Sequence, residues 1–143
     1  MLATFLLAVL LQTAPATQPA TAAPPMEFDT YHFVLLVAAE SPPEDMTREK
    51  ATEIQGQHLG HLTKMWEQGY ALVAGPFGDR IDPRWRGMVL YRGDLTKEQV
   101  IELASADPAV QAGLLEVKVM AWYTAKDMLE FKAPPSTQPA DGE

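Results

Sequence analysis

The chain of 143 residues carries three histidines, no cysteine and 19 acidic residues, so its readiest chemistry is proton transfer between imidazole and carboxylate. His58 is the first candidate. Ala51, Ile54, His58, Leu62 and Met65 recur at steps of three or four, one face of a helix, and His58 interrupts that apolar stripe. An imidazole so placed can have its tautomer and basicity set by burial and one carboxylate. The plainer assignment is a buried structural ring bonded to a carbonyl, and from position alone that is the commoner outcome. Asp107 is the candidate partner. Standing before Pro108, it suits an N-cap whose carboxylate receives the N–H groups of the next turn. The alternative is that it reaches across to His58 and holds the ring as a general base. Spacing leaves both roles open.

His58 and His61 are three apart, about 60° of helical arc, so they could share a metal. No third ligand stands at useful spacing, although Glu53 and His32 exist, and His61 is expected to be a solvated surface residue. No metal is expected. Ala74-Gly75-Pro76-Phe77-Gly78-Asp79 closes a strand with two glycines, where backbone either turns sharply or admits a ligand closely. Gly75, Pro76 and Phe77 are therefore candidate substrate-binding residues, with a plain turn as the ordinary alternative. Asp79, Arg80, Asp82, Arg84 and Arg86 form a mixed-charge loop, ordinarily just solvated, from which Arg86 could clamp a substrate carboxylate. Trp66, Trp85, Trp122, Phe77 and Tyr123 could line a pocket for a ring, although core and dimer packing account for most of them.

Several chemistries are excluded. Without cysteine there is no thiolate nucleophile, disulfide, Cys-ligated zinc, iron–sulfur cluster or lipidated cysteine. Neither a G-x-G-x-x-G nor a phosphate-binding G-x-x-x-x-G-K-[ST] is present, and no cofactor is expected. There is no G-x-S-x-G, and Ser41, Ser105 and Ser136 stand in no triad context. With 11 basic against 19 acidic residues the formal charge is −8, the wrong sign for a nucleic-acid partner.

The elements that must position these residues read as follows. Tyr31 to Ala38 is an apolar, β-branched and aromatic strand with both faces apolar. Thr47 caps a helix running through Gln68 and stopped by Gly69. Tyr70 to Ala74 is a second strand, and Gly87 to Arg92 a third, again apolar on both faces. Thr96 with Gln99 fits a capping box for a helix through Ala104, and Asp107-Pro108 starts a short turn or helix reaching Gly113. Leu115 to Tyr123 alternates, with Leu115, Val117, Val119 and Ala121 on one side and Glu116 and Lys118 on the other. This β-α-β-β-α-β order is the split βαβ of a ferredoxin-like α+β sandwich, whose first and third strands are central. Two helices cover one face of an antiparallel sheet, and a second copy is the economical cover for the other, so a homodimer is expected.

Composition at 47% hydrophobic suits one folded domain, placed at residues 28–132. Leu2 to Leu11 is an uncharged run of about ten residues, the length of a signal-peptide core rather than of a membrane span. Small residues follow at Ala14-Pro15-Ala16 and Ala20-Thr21-Ala22, although only the amino terminus supplies positive charge ahead of the run. Residues 1–23 are thus expected to be a signal-peptide-like segment and linker, the protein exported and the mature domain free of the membrane. Thr13 to Pro25 and Ala133 to Glu143 are rich in Pro, Ala, Thr and Gln, share Thr-Gln-Pro-Ala, and read as flexible linkers.

One resemblance draws these residues together. His58-Leu59-x-x-Leu62, Gly69, Ala74-Gly75-Pro76-Phe77, Arg86-Gly87, Asp107-Pro108-Ala109-Val110-x-Ala112-Gly113, Glu116-Val117 and Trp122-Tyr123, in this order, resemble the YciI-like (YCII-related) family over nearly all of Tyr31 to Tyr123. The resemblance implies a ferredoxin-like fold dimerising as an α/β barrel, with His58 and Asp107 as an active-site pair in a cleft. It further implies small-molecule chemistry akin to that of members acting in aromatic degradation, some removing chloride from a hydroxylated ring, and of related muconolactone isomerases. The expected function is a cofactor-independent lyase or isomerase acting on a small cyclic or enolisable substrate, in which His58 moves the proton and Asp107 orients the ring. An acidic protein does not steer anions from afar, so Arg86 would have to meet any carboxylate locally. The alternative is a noncatalytic dimeric module of the cell envelope that binds a small ligand or stabilises an assembly.

Overall fold

A computed structural model describes residues 25–79 and 81–134. The expected signal-like segment, most of the Pro-rich tail and Arg80 lie outside the described residues. The elements are β1 (Phe28–Ala38), α1 (Arg48–Glu67), β2 (Ala71–Pro76), β3 (Trp85–Tyr91), α2 (Lys97–Ser105), α3 (Pro108–Gln111) and β4 (Leu115–Ala125). The strands form a four-stranded antiparallel sheet in the order β2-β3-β1-β4. This α+β arrangement is compatible with a ferredoxin-like fold, and its central strands are the two whose faces both read as apolar.

Local chemistry sets the helix ends. The Thr47 hydroxyl accepts the Lys50 N–H at 3.2 Å, and Thr96 with Gln99 completes the reciprocal capping box of α2. At the far end of α1, Gly69 turns left-handed at φ 75°, donating its N–H to Trp66 while Tyr70 donates to Met65. Gly113, at φ 70°, closes α3 in the same way, with bonds to Val110 and from Leu114 to Ala109. Both are Schellman ends, which use glycine because a Cβ is strained at that φ.

Packing follows the alternation along β1. Val34 and Leu36 join Met65 of α1, Val89 and Tyr91 of β3, and Val100 and Ala104 of α2 in one core. Phe33 and Leu35 therefore face the other way, in register with Leu90 and Met88 on one side and with Met120 and Lys118 on the other. Two elements run longer than their apolar patterns suggest. The exposed start of β1, Phe28 to Thr30, is a strand because it pairs with Tyr123 to Ala125 at the end of β4. Backbone bonding carries both strands past the apolar segment. The edge strand β2 ends in Pro76, where a missing N–H leaves no ladder bond broken on its outer side.

Candidate active site

His58 projects from the core face of α1, and Asp107 stands at the junction of α2 and α3; each keeps under a tenth of its surface exposed. Their side chains meet, with His58 Nδ1 2.6 Å from Asp107 Oδ2. The other carboxylate oxygen, Oδ1, accepts the N–H of Ala109 at 2.8 Å. The capping role and the role of orienting the imidazole therefore coincide in one residue. Asp107 is pinned at the start of α3 by its own backbone, and from there it presents a fixed acceptor to α1.

This geometry defines the tautomer. A carboxylate only accepts, so the proton between the two residues sits on Nδ1 and leaves the Nε2 lone pair available. Among the described residues Nε2 has no hydrogen-bond partner, and the one enclosed side-chain nitrogen or oxygen without a partner is His32 Nδ1. His58 Nε2 is thus reached from outside the protein. His58 lines a cleft of about 870 Å³ between α1 and the β2 edge of the sheet. A cleft of that size accommodates a drug-sized molecule. Nε2 can remove a proton from such a molecule or return one, while Asp107 steadies the charge that the ring then gains.

The candidate binding residues divide. Gly75, Pro76 and Arg86 line the cleft, together with Trp66, Leu62 and Gln55 of α1. Phe77 is not among the lining residues; its ring tilts against Trp85 at a centroid distance of 6.4 Å. Trp122 lies beside Tyr31 at 6.0 Å, so Trp66 alone of the aromatic candidates reaches the cleft. Gly87 also lines it, and a Cβ there would collide with the carbonyl of Gly75 on the neighbouring strand. Glycine at 87 is what lets β2 and β3 approach beneath the ligand space.

His61 is not the solvated residue expected. Its Nε2–H donates to the Leu103 carbonyl at 3.1 Å, one of the acceptors that the end of α2 leaves without a helical partner. Its role could have been found by asking which side chain on α1 supplies a donor to that end. His32 does the equivalent at the other end, donating from Nε2 to the Leu95 carbonyl at 2.8 Å. All three histidines thus hold the α2–α3 segment in place. Among the described residues no cluster of three or more His, Asp or Glu side chains suits a metal ion.

Behind the pair, the buried Tyr91 is a residue that the sequence reading did not single out. Its phenol is pushed up from 10.0 to about 12, first by burial and then by the negative charge of Asp107. A pKa raised on folding means that the native state holds its proton where the unfolded chain has released it. The contribution of Tyr91 to stability is complete below pH 10 and lost as pH rises through 12, an alkaline loss of about 3 kcal/mol. Urea unfolding between pH 9 and 12 should give a steeper decline for the wild type than for Tyr91→Phe; superimposable declines would refute the assignment.

No family model matches the chain, and no curated protein matches it.

Proposed function

We propose that the protein is an exported YciI-like enzyme that catalyses elimination or isomerisation of a small cyclic or enolisable substrate without a cofactor. His58 is the general acid and base, and Asp107 sets its tautomer. The observation that carries this reading is the 2.6 Å contact between His58 Nδ1 and a backbone-anchored carboxylate in a histidine that lines the cleft. Gly75, Pro76 and Gly87 shape the wall against which the substrate lies.

The functional unit in this reading is a homodimer closed over the outer face of the sheet as an α/β barrel. Support comes from that face: Met120 and Trp122 remain 45% and 39% exposed beside the apolar Phe33, Leu35 and Leu90. Export is supported by the apolar run from Leu2 to Leu11.

The test combines spectroscopy with a reaction screen. Imidazole ¹⁵N spectra should show His58 protonated on Nδ1 in the wild type and on Nε2 in Asp107→Asn. Ring lactones and halogenated phenols incubated with the wild type in D₂O should show isomerisation, chloride release or deuterium uptake. A His58 tautomer indifferent to Asp107, together with no reaction across the panel, would make the protein a noncatalytic binding module instead.

A further inference from the structure

The cleft beside His58 is unlike the rest of the molecule in its charge. The chain carries 19 acidic residues, yet none of the described residues lining the cleft is acidic. Arg86 is the one lining residue with a permanent charge, and it forms no ion pair among the described residues, whereas Arg84 and Arg92 are paired with Glu40 and Asp94. Most of the remaining wall is apolar, including Ile54, Leu59, Leu62 and Trp66. Of the other polar lining groups, Thr63 already donates its hydroxyl to the Leu59 carbonyl.

We infer that the substrate is an apolar-bodied monocarboxylate whose carboxylate pairs with Arg86, an assignment that rests on the cleft being the reaction site. The planar guanidinium offers two parallel N–H donors to a carboxylate, a better match than to a neutral carbonyl. Arg86 is exposed, so water screens the pair in part, and its guanidinium selects the charged end of the ligand while the apolar wall holds the body. A second negative charge on the ligand would have no cation to meet and would lose hydration without compensation. The same arrangement explains how a protein of net charge −8 accepts an anion: the acidic side chains stand elsewhere, and attraction begins only at the cleft. A neutral body fills the apolar wall while the carboxylate fixes which end of the molecule meets His58.

Three probes test this on the full chain by NMR titration: 4-phenylbutanoate, its neutral amide and phenylsuccinate, a dianion at neutral pH. The wild type should bind 4-phenylbutanoate about fivefold more tightly than the amide, with phenylsuccinate weaker than the monoanion. Arg86→Gln should remove that preference and leave amide binding unchanged, and Arg86→Lys should restore part of it. Equal binding of acid and amide, unchanged acid binding in Arg86→Gln, or no binding of 4-phenylbutanoate would each overturn the inference. Failure here is distinct from failure of the acid–base reading. If Arg86→Gln changes nothing while His58→Ala still abolishes turnover, the ligand class falls and the reaction stands. If the Arg86 preference holds but the wild type turns nothing over, the reaction falls and the ligand class stands.

Discussion

His58→Ala should abolish turnover and also lower stability, because it strips the buried Asp107 carboxylate of its partner, whereas Asp107→Asn should lower kcat by roughly 10³ to 10⁴ although it changes only one heavy atom of a side chain. The reason lies in the two separate duties of the Asp107 carboxylate, whose oxygens accept from Ala109 N–H at 2.8 Å and from His58 at 2.6 Å. An asparagine has one oxygen. The backbone N–H of Ala109 cannot rotate away, so the amide oxygen stays on it and the NH₂ group turns to His58. Nδ1 must then accept, the ring proton moves to Nε2, and that nitrogen can no longer take a proton. The cap of α3 survives, which separates this loss from simple unfolding. Steady-state kinetics on the substrate identified by the screen, with circular dichroism as control, checks both variants; Asp107→Asn activity within tenfold of wild type would remove the carboxylate from the mechanism.

Met120→Glu should convert the proposed dimer to a monomer. Met120 sits opposite Phe33 on β4, facing away from the helices and 45% exposed, so its replacement costs the isolated subunit little. In a two-fold assembly the same patch occurs on both subunits, so one substitution places two carboxylates in the apolar part of the interface, where the neighbouring Lys118 is already paired with Glu116. Its loss of association should reach about 100-fold or more, as for a central interface position. Sedimentation equilibrium would find a dimeric wild type, a monomeric Met120→Glu and an unaffected Met128→Glu, since Met128 lies beyond the end of β4. A monomeric wild type, or a dimer indifferent to Met120→Glu, would refute the closed barrel.

Much of this architecture was legible because short-range chemistry dictates it. Thr47, Thr96 with Gln99, Gly69 and Gly113 each mark a helix end through hydrogen bonds within a few residues of themselves. The two-sided apolar character of β1 and β3 likewise identified the centre of the sheet. What could not be read depends on distance in space. The contact between His58 and Asp107 spans 49 residues, and position alone favoured a bond from His58 to a backbone carbonyl. His61 looked like surface because nothing near it in the chain reveals the unpartnered carbonyl of Leu103. Phe77 was grouped with Gly75 and Pro76 by sequence adjacency, but β2 ends at Pro76 and the ring beyond it turns to Trp85.

The grip of the three histidines on the α2–α3 segment bears on how the protein acquires its shape in time. Their contacts join residues 63, 49 and 42 positions apart, so none can form from a local stretch of chain. Each requires closure of a long loop, whose entropy must be overcome before the contact returns anything, and such closures come slowly in a folding trajectory. The α1 helix can coil on its own, carrying His58 with no acceptor to orient it. Only when the second helical segment docks does the imidazole gain its carboxylate, and the same docking engages the Leu95 and Leu103 carbonyls. Formation of the oriented pair is thereby coupled to complete assembly of the chain, and a half-folded molecule holds the histidine without its carboxylate.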